Sequence, residues 1–312
     1  MENLLSTSDL SKERILAYLD LAAAFAPRVL AGESIALLGG QTIVNLFFES
    51  STRTRTSFEV ATRKLGGSVL NFAVSDSSTK KGETLIDTAK NIHAMKPQAI
   101  VVRHASAGSP LILAKEVDVP VINAGDGFHE HPTQALLDAF TIREKLGKIA
   151  GKKVLILGDI AHSRVARSNI HVLRKLGASV AVCGPPTLLP PHPEVLGVDF
   201  SYRPEEFLRT ADVVMTLRIQ LERQNKMQIP SLAEYSQFWG LNHERAKLLK
   251  KNAIILHPGP INRGVELDPD VADGLKSVIL DQVANGVVVR MAVLASLCNP
   301  EGVKKWLKSH RS

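Results

Sequence analysis

Short apolar runs alternate along this chain with segments whose apolar positions recur every three or four residues, the pattern of strands followed by helices. LSKERILAYLDLAAAF (10–25) has the helical period and is expected to stop near Pro27. TIVNLFFE (42–49) predicts a strand, and TSFEVATRKLG a helix stopped by Gly66 and Gly67. ETLIDTAKNIHAM predicts a helix ending before Pro97, AIVVRHA and VPVINAG two buried strands. HPTQALLDAFTIREKLG reads as a helix with Pro132 in its first turn, where a missing N–H does no harm.

After GKIAGKK the alternation restarts. KVLILGD, SVAVCGP, DVVMTLR and AIILHPG read as strands. SRVARSNIHVLRKLG, PEEFLRTA, HERAKLLKKN and the closing ANGVVVRMAVLASLCNP read as helices. Strand–helix alternation through both halves predicts an α/β protein with two doubly wound domains, each a mostly parallel sheet flanked by helices. The expected boundary is the Gly/Lys-rich stretch 147–153.

At 312 residues the chain is long for one core and comfortable for two. No uninterrupted apolar stretch approaches the roughly 20 residues that span a bilayer, and the N-terminus lacks the pattern of a signal peptide. Cys183 and Cys298 make neither a disulfide framework nor a metal-ligand spacing, which fits a reducing, cytoplasmic setting. A net charge of +7 invites a nucleic-acid reading. Against it, the basic residues are scattered and aromatics make up only 5%, leaving few stacking platforms. Neither nucleic acid nor membrane is expected as a partner.

In an open parallel sheet ligands gather outside the carboxyl ends of the strands, so the residues after each strand form the candidate list. Ser51, Thr52, Arg53, Thr54 and Arg55 fall where a strand ends and a helix begins. Bare N–H groups, hydroxyls and planar guanidinium forks there suit a phosphate; the plainer alternative is a capped helix with solvated arginines. SSTKKGET (77–84) suits either a solvated loop tip or a lysine-bearing lid over an anion. His129 and His131 lack the further ligands that zinc requires, so no metal is expected; His131 at a helix start instead suits a neutral donor to a carbonyl. Gln134, one turn on, shares its face.

VLILGDIAHSR resembles a dinucleotide turn but lacks the second and third glycines, so no nicotinamide cofactor is expected. Arg164 and Arg218, with Gln220 on the face of Arg218, form a sensible receptor for a dicarboxylate. LHPGP supplies a turn whose carbonyls can accept from a ligand amine. Together these describe moving a group from a small acyl phosphate to an amino acid.

SSTRTRTSFE, KKGET, VVRH, HPTQALLD, RIQLER and LHPGPINRG occur in the order and at about the spacing of the aspartate carbamoyltransferase family's catalytic chains, which the whole sequence resembles. The resemblance implies transfer of a carbamoyl group from carbamoyl phosphate to L-aspartate in pyrimidine synthesis, with no cofactor. It implies a carbamoyl phosphate domain, 1–147, closed by a C-terminal helix at about 286–312, and an aspartate domain, 148–285. Ser51, Thr52, Arg53 and Thr54 would bind phosphate, and Arg103 would bridge phosphate and carbonyl oxygens. Thr54 and His131 would donate to the carbonyl. Gln134 and the carbonyls of Gly259 and Pro260 would hold the carbamoyl nitrogen. Lys81, Arg164, Arg218 and Gln220 would hold the aspartate carboxylates, and Glu49 would tie the closed domains through Arg164 and Arg223. The family's unit is a homotrimer with shared sites, so Lys81 and Ser77, Ser78 or Thr79 would act in a neighbouring chain. The resemblance admits a regulatory chain or a dihydroorotase-like partner, and the sequence favours neither. HPGP where ornithine enzymes have HCLP, together with Arg218-Ile219-Gln220, favours aspartate over ornithine as acceptor. The rival readings are an inactive binding homologue and a carbamoyltransferase for another amino acid.

Overall fold

The computed structural model describes residues 2–73, 84–219, 229 and 231–310. By its internal contacts the chain divides into two compact units, Met1–Leu137 with Ala284–Ser312, and Asp138–Val283. The divisions fall within helix Pro132–Leu146 and helix Ile279–Cys298.

In the first unit helix Lys12–Leu30 precedes strand β1 (Thr42–Phe47), helix Thr52–Lys64 and β2 (Ser68–Ala73). Helix Leu85–Ala94, β3 (Ala99–His104), helix Ser109–Glu116 and β4 (Val121–Asp126) follow. The strands lie in the order β2-β1-β3-β4, each neighbouring pair parallel. The chain winds outward from β1 to β2, then returns to lay β3 on the other side of β1. Strand order therefore reverses between β1 and β3. Val44, Leu46, Ile100, Val102 and Val121 pack on Ala89 and Ile92 of one helix and Leu113 of another. Fully burying each of the larger aliphatic side chains contributes about 1.5–3 kcal/mol, which is why strands covered on both faces read as near-continuous apolar runs.

In the second unit the order is β5 (Lys153–Leu157), helix Arg164–Lys175, β6 (Ser179–Cys183), β7 (Asp199–Ser201), helix Glu205–Leu208 and β8 (Val213–Thr216). Helices Leu232–Trp239 and His243–Lys247, β9 (Ile254–Leu256) and helix Pro269–Ala272 complete it. The sheet runs β7-β6-β5-β8-β9, again parallel throughout. Here the reversal lies between β5 and β8. Both units are thus doubly wound parallel sheets flanked by helices, as the hydrophobic pattern predicts.

Several elements differ from the sequence expectation. The first helix runs through Pro27 to Leu30, because a proline in the last turn removes only one donor and the Ala31 N–H still reaches the Pro27 carbonyl. The helix expected over 243–252 is the five-residue His243–Lys247. The closing helix breaks at Asn299, whose side chain accepts from the Gly302 N–H, and a separate helix runs Pro300–Ser309. β2 and β7, with helices Ser109–Glu116, Leu232–Trp239 and Pro269–Ala272, were not anticipated; β2 and β7 lie at sheet edges, where half-exposed strands carry a weak apolar signal. Helix Ile279–Cys298 is long and apolar enough to cross a membrane by length and composition, but 61% of its most apolar window is buried within the protein.

Candidate active site

Glu49 lies two residues past the end of β1, and 51–55 open the helix that comes next. Ser51 occupies the N-cap position with φ −158° and ψ 89°, and its side chain makes no capping hydrogen bond. The capping residues Ser11, Thr84, Ser163, Ser231, Asn242 and Asn299 of other helices all accept from their own helix N–H groups. The Arg55 N–H makes the first bond back, to the Ser51 carbonyl. The N–H groups of Thr52, Arg53 and Thr54 precede that bond, at the positive end of the helix dipole. Thr52 and Arg53 are exposed and Thr54 is buried. The helix is fastened from behind by Arg290, itself buried, whose Nη1 donates to Ser57 Oγ at 2.9 Å while its guanidinium lies 5.2 Å from the Phe58 ring.

Arg103, near the end of β3, is 9% exposed. Its Nε lies 3.3 Å from Glu49 Oε2, and its Nη1 donates to the Ala124 carbonyl of β4 at 3.3 Å. Phe47 and Arg103 are register partners across β1 and β3, which places the guanidinium at the reversal of the first sheet. Buried His131 stands just before helix Pro132–Leu146, and its carbonyl accepts from the N–H of buried Gln134. Glu49, 51–55, His131 and Gln134 thus follow the carboxyl ends of neighbouring strands, and Arg103 lies one residue before the end of its own strand. His104, next to Arg103, has its pKa lowered by burial, which outweighs the pull of the Glu49 and Asp126 carboxylates. Its Nδ1 lies 2.9 Å from the Ser106 nitrogen and 2.8 Å from Ser109 Oγ.

The second unit repeats the arrangement. The Leu217 N–H reaches the Leu157 carbonyl at 2.8 Å, holding the ends of β5 and β8 together at the reversal of this sheet. Arg164 begins the helix after β5 and is 5% exposed; Arg218 follows β8 and is half-buried. Gly158 permits the sharp exit from β5: its φ is +135°, and a Cβ there would meet Leu217 Cβ at 3.0 Å. Gly259 and Pro260 follow β9 in a turn pinned by His257, whose Nδ1 accepts the Gly259 N–H at 2.7 Å and whose Nε2 lies 3.2 Å from Glu266 Oε1. Glu266 Oε1 also accepts the Asn262 N–H, and Asn262 Nδ2 donates to the Ile219 carbonyl at 3.0 Å. That last bond joins the Gly259–Pro260 turn to the segment carrying Arg218.

The chain carrying these two sheets matches known proteins over most of its length. Residues 2–144 match the family domain described as "Aspartate/ornithine carbamoyltransferase, carbamoyl-P binding domain", and 150–297 match the corresponding "Asp/Orn binding domain". The chain belongs to the aspartate/ornithine carbamoyltransferase family. The aspartate carbamoyltransferase catalytic subunit of Opitutus terrae is 56% identical over 306 residues, 96% of this chain and 97% of that one. That of Myxococcus xanthus is 54% identical, covering 94% and 98%. Among solved structures, aspartate transcarbamoylase from Trypanosoma cruzi in complex with N-(phosphonacetyl)-L-aspartic acid is similar with a TM-score of 0.86, 33% identity and 95% of each chain covered. Ornithine carbamoyltransferase from Pyrococcus furiosus is similar with a TM-score of 0.84, 33% identity and 95% and 97% coverage.

Lys81, Ser77, Ser78, Thr79, Gln220 and Arg223 lie outside the described residues. Among the described residues no cluster of His, Cys, Asp or Glu could hold a metal ion; exposed His129 pairs with Asp126 at 3.0 Å. Burial pushes the thiols of Cys183 and Cys298 up to about 12, which leaves neither a nucleophile at neutral pH. Arg290 and Asn262 escaped the sequence reading because each works through a partner distant in the chain, Ser57 and Ile219, and Glu266 because its bonds to His257 and Asn262 form only once the turn is folded. Only the HP turn after β9 gave a local signal for His257.

Proposed function

We propose that this chain transfers the carbamoyl group of carbamoyl phosphate to the amine of L-aspartate, giving N-carbamoyl-L-aspartate and phosphate on the route to pyrimidines. The observation that carries this reading is the placement of buried or half-buried arginines where both sheets reverse: Arg103 in the first, Arg164 and Arg218 in the second. The first set suits a phosphate with an adjoining carbonyl, the second a dicarboxylate. Relatives 52–56% identical that are aspartate carbamoyltransferase catalytic subunits support the choice of acceptor.

In this reading Ser51, Thr52, Arg53 and Thr54 hold the phosphate with the helix N–H groups. Arg103, Thr54 and His131 donate to the carbonyl oxygen, while Gln134 and the Gly259 and Pro260 carbonyls hold the carbamoyl nitrogen. Arg164, Arg218, Gln220 and Lys81 hold the aspartate carboxylates. The neutral amine attacks the carbamoyl carbon, a C–N bond forms, and the carbonyl oxygen gathers negative charge that the three donors stabilise. The C–O bond to phosphate then breaks, and the departing phosphate takes the proton lost by the amine. No covalent enzyme intermediate is needed. Closure through Glu49, Arg164 and Arg223 orients the two charged reactants.

The working unit in this reading is a cytoplasmic homotrimer, with Lys81 and a hydroxyl among 77–79 entering a neighbour's site. A regulatory chain or a dihydroorotase-like partner would join through that trimer. The deciding experiment measures product from carbamoyl phosphate with aspartate and, in parallel, with ornithine. Activity with aspartate alone is expected; turnover only with ornithine, or none with either, would overturn the proposal. Mixing Lys81→Ala and His131→Ala chains, each of low turnover by itself, and recovering activity is the expected sign of shared sites.

A further inference from the structure

The buried carboxylate of Glu130, next to His131, is saturated by a segment more than 120 residues earlier in the chain. Glu130 Oε1 accepts from Ser6 Oγ at 2.8 Å, the Thr7 N–H at 3.1 Å and the Ser8 N–H at 3.3 Å, and Oε2 accepts from Thr7 Oγ1 at 2.6 Å. Thr7 is fully buried. The N-terminal segment is itself part of the sheet edge: the Leu4 N–H reaches the Val121 carbonyl, the Asn123 N–H reaches the Leu4 carbonyl, and Asn123 Nδ2 donates to the Leu5 carbonyl. The backbone of Glu130 is fixed from the other side, its N–H donating to Asp126 Oδ1 and its carbonyl accepting from the Asp126 N–H, both at 3.1 Å. Asp126 is held in turn by Asn123 Nδ2 and the Gly108 N–H. The side chain, N–H and carbonyl of Glu130 are thereby tied to β4 or to residues 6–8.

We propose that Glu130 is a positioning residue for His131, and that residues 6–8 form the brace through which it acts. The inference rests on the carbonyl-polarising role read for His131 above. A buried carboxylate costs free energy unless it is fully hydrogen-bonded, so a cluster of hydroxyls and N–H groups on it fixes one geometry rather than many. His131 needs such fixing, because displacing a transition-state donor by about 1 Å costs as much as 10²-fold in rate.

The test compares steady-state kinetics and urea unfolding of the full-length wild type, Glu130→Gln, Thr7→Val, Thr7→Ser and His131→Ala, with Glu130→Gln and Thr7→Val each also placed in the His131→Ala background. Glu130→Gln and Thr7→Val are expected to lower kcat about 10- to 100-fold with little change in KM for aspartate, and Thr7→Ser to retain near wild-type kcat. Neither change is expected to lower kcat further once His131 is absent, since a residue acting only through His131 has nothing left to position. If Glu130→Gln fails to fold, the Thr7→Val and Thr7→Ser pair decides alone. Normal kcat in Thr7→Val, or a loss that adds fully to that of His131→Ala, overturns the brace while leaving the function intact. Full activity of His131→Ala would instead overturn the role of His131 and the brace with it.

Discussion

Arg103 Nε and Glu49 Oε2 face each other at 3.3 Å where the first sheet reverses its strand order. The carboxylate holds the guanidinium in one orientation, and the Ala124 carbonyl holds its other arm. Arg103→Ala should therefore lower kcat by about 10²–10³-fold, the effect of removing one preorganised oxyanion donor. Arg103→Lys should recover little of it, because an ammonium cannot bridge two oxygens as a planar fork does. Initial rates at saturating carbamoyl phosphate and aspartate check both.

Arg218→Met is expected to raise the aspartate KM about 30-fold or more, equivalent to about 2 kcal/mol of lost charge pairing. The affinity for phosphate should stay unchanged, since Arg218 sits on the other sheet. Aspartate saturation curves and phosphate product inhibition separate the two effects. Equal losses for both ligands would place Arg218 outside the acceptor site.

Gly184→Ala should destabilise the second unit by about 1–3 kcal/mol or more, because a Cβ there would lie 2.2 Å from the Gly158 carbonyl oxygen, a backbone atom that cannot swing aside. The exit of β5 would have to shift, so the turn leading to Arg164 should suffer with it. A lower urea midpoint together with a raised aspartate KM is the expected result.

Cys183 and Cys298 should resist alkylation in the native protein. With thiols pushed up to about 12 by burial, their thiolate fraction at pH 8 is about 10⁻⁴. Mass spectrometry after brief iodoacetamide treatment should find neither modified, and both modified in urea. Rapid native labelling with loss of activity would show that a thiol is reachable after all.

Much of the site was legible because phosphate and carboxylate recognition uses residue types with a local signature: hydroxyls and arginines after a strand, a proline opening a helix, a proline-rich turn. Thr54, Arg103, His131 and Arg164 each follow or end a strand visible as an apolar run, and their burial agrees with a site rather than a solvated face. What supports them was not legible. Glu130 reads as one more charge in a polar turn, and Thr7 as part of an unremarked N-terminus, until folding brings them to 2.6 Å.

Hydrophobic periodicity alone determined the kind of protein this is, since a parallel sheet covered on both faces demands continuous apolar strands separated by amphipathic helices. The order of strands within each sheet was decided only in three dimensions. Periodicity is a local property, whereas strand neighbours are chosen by long-range pairing and by which helix can cover which face. That choice created a reversal in each sheet, and at those reversals the arginines stand.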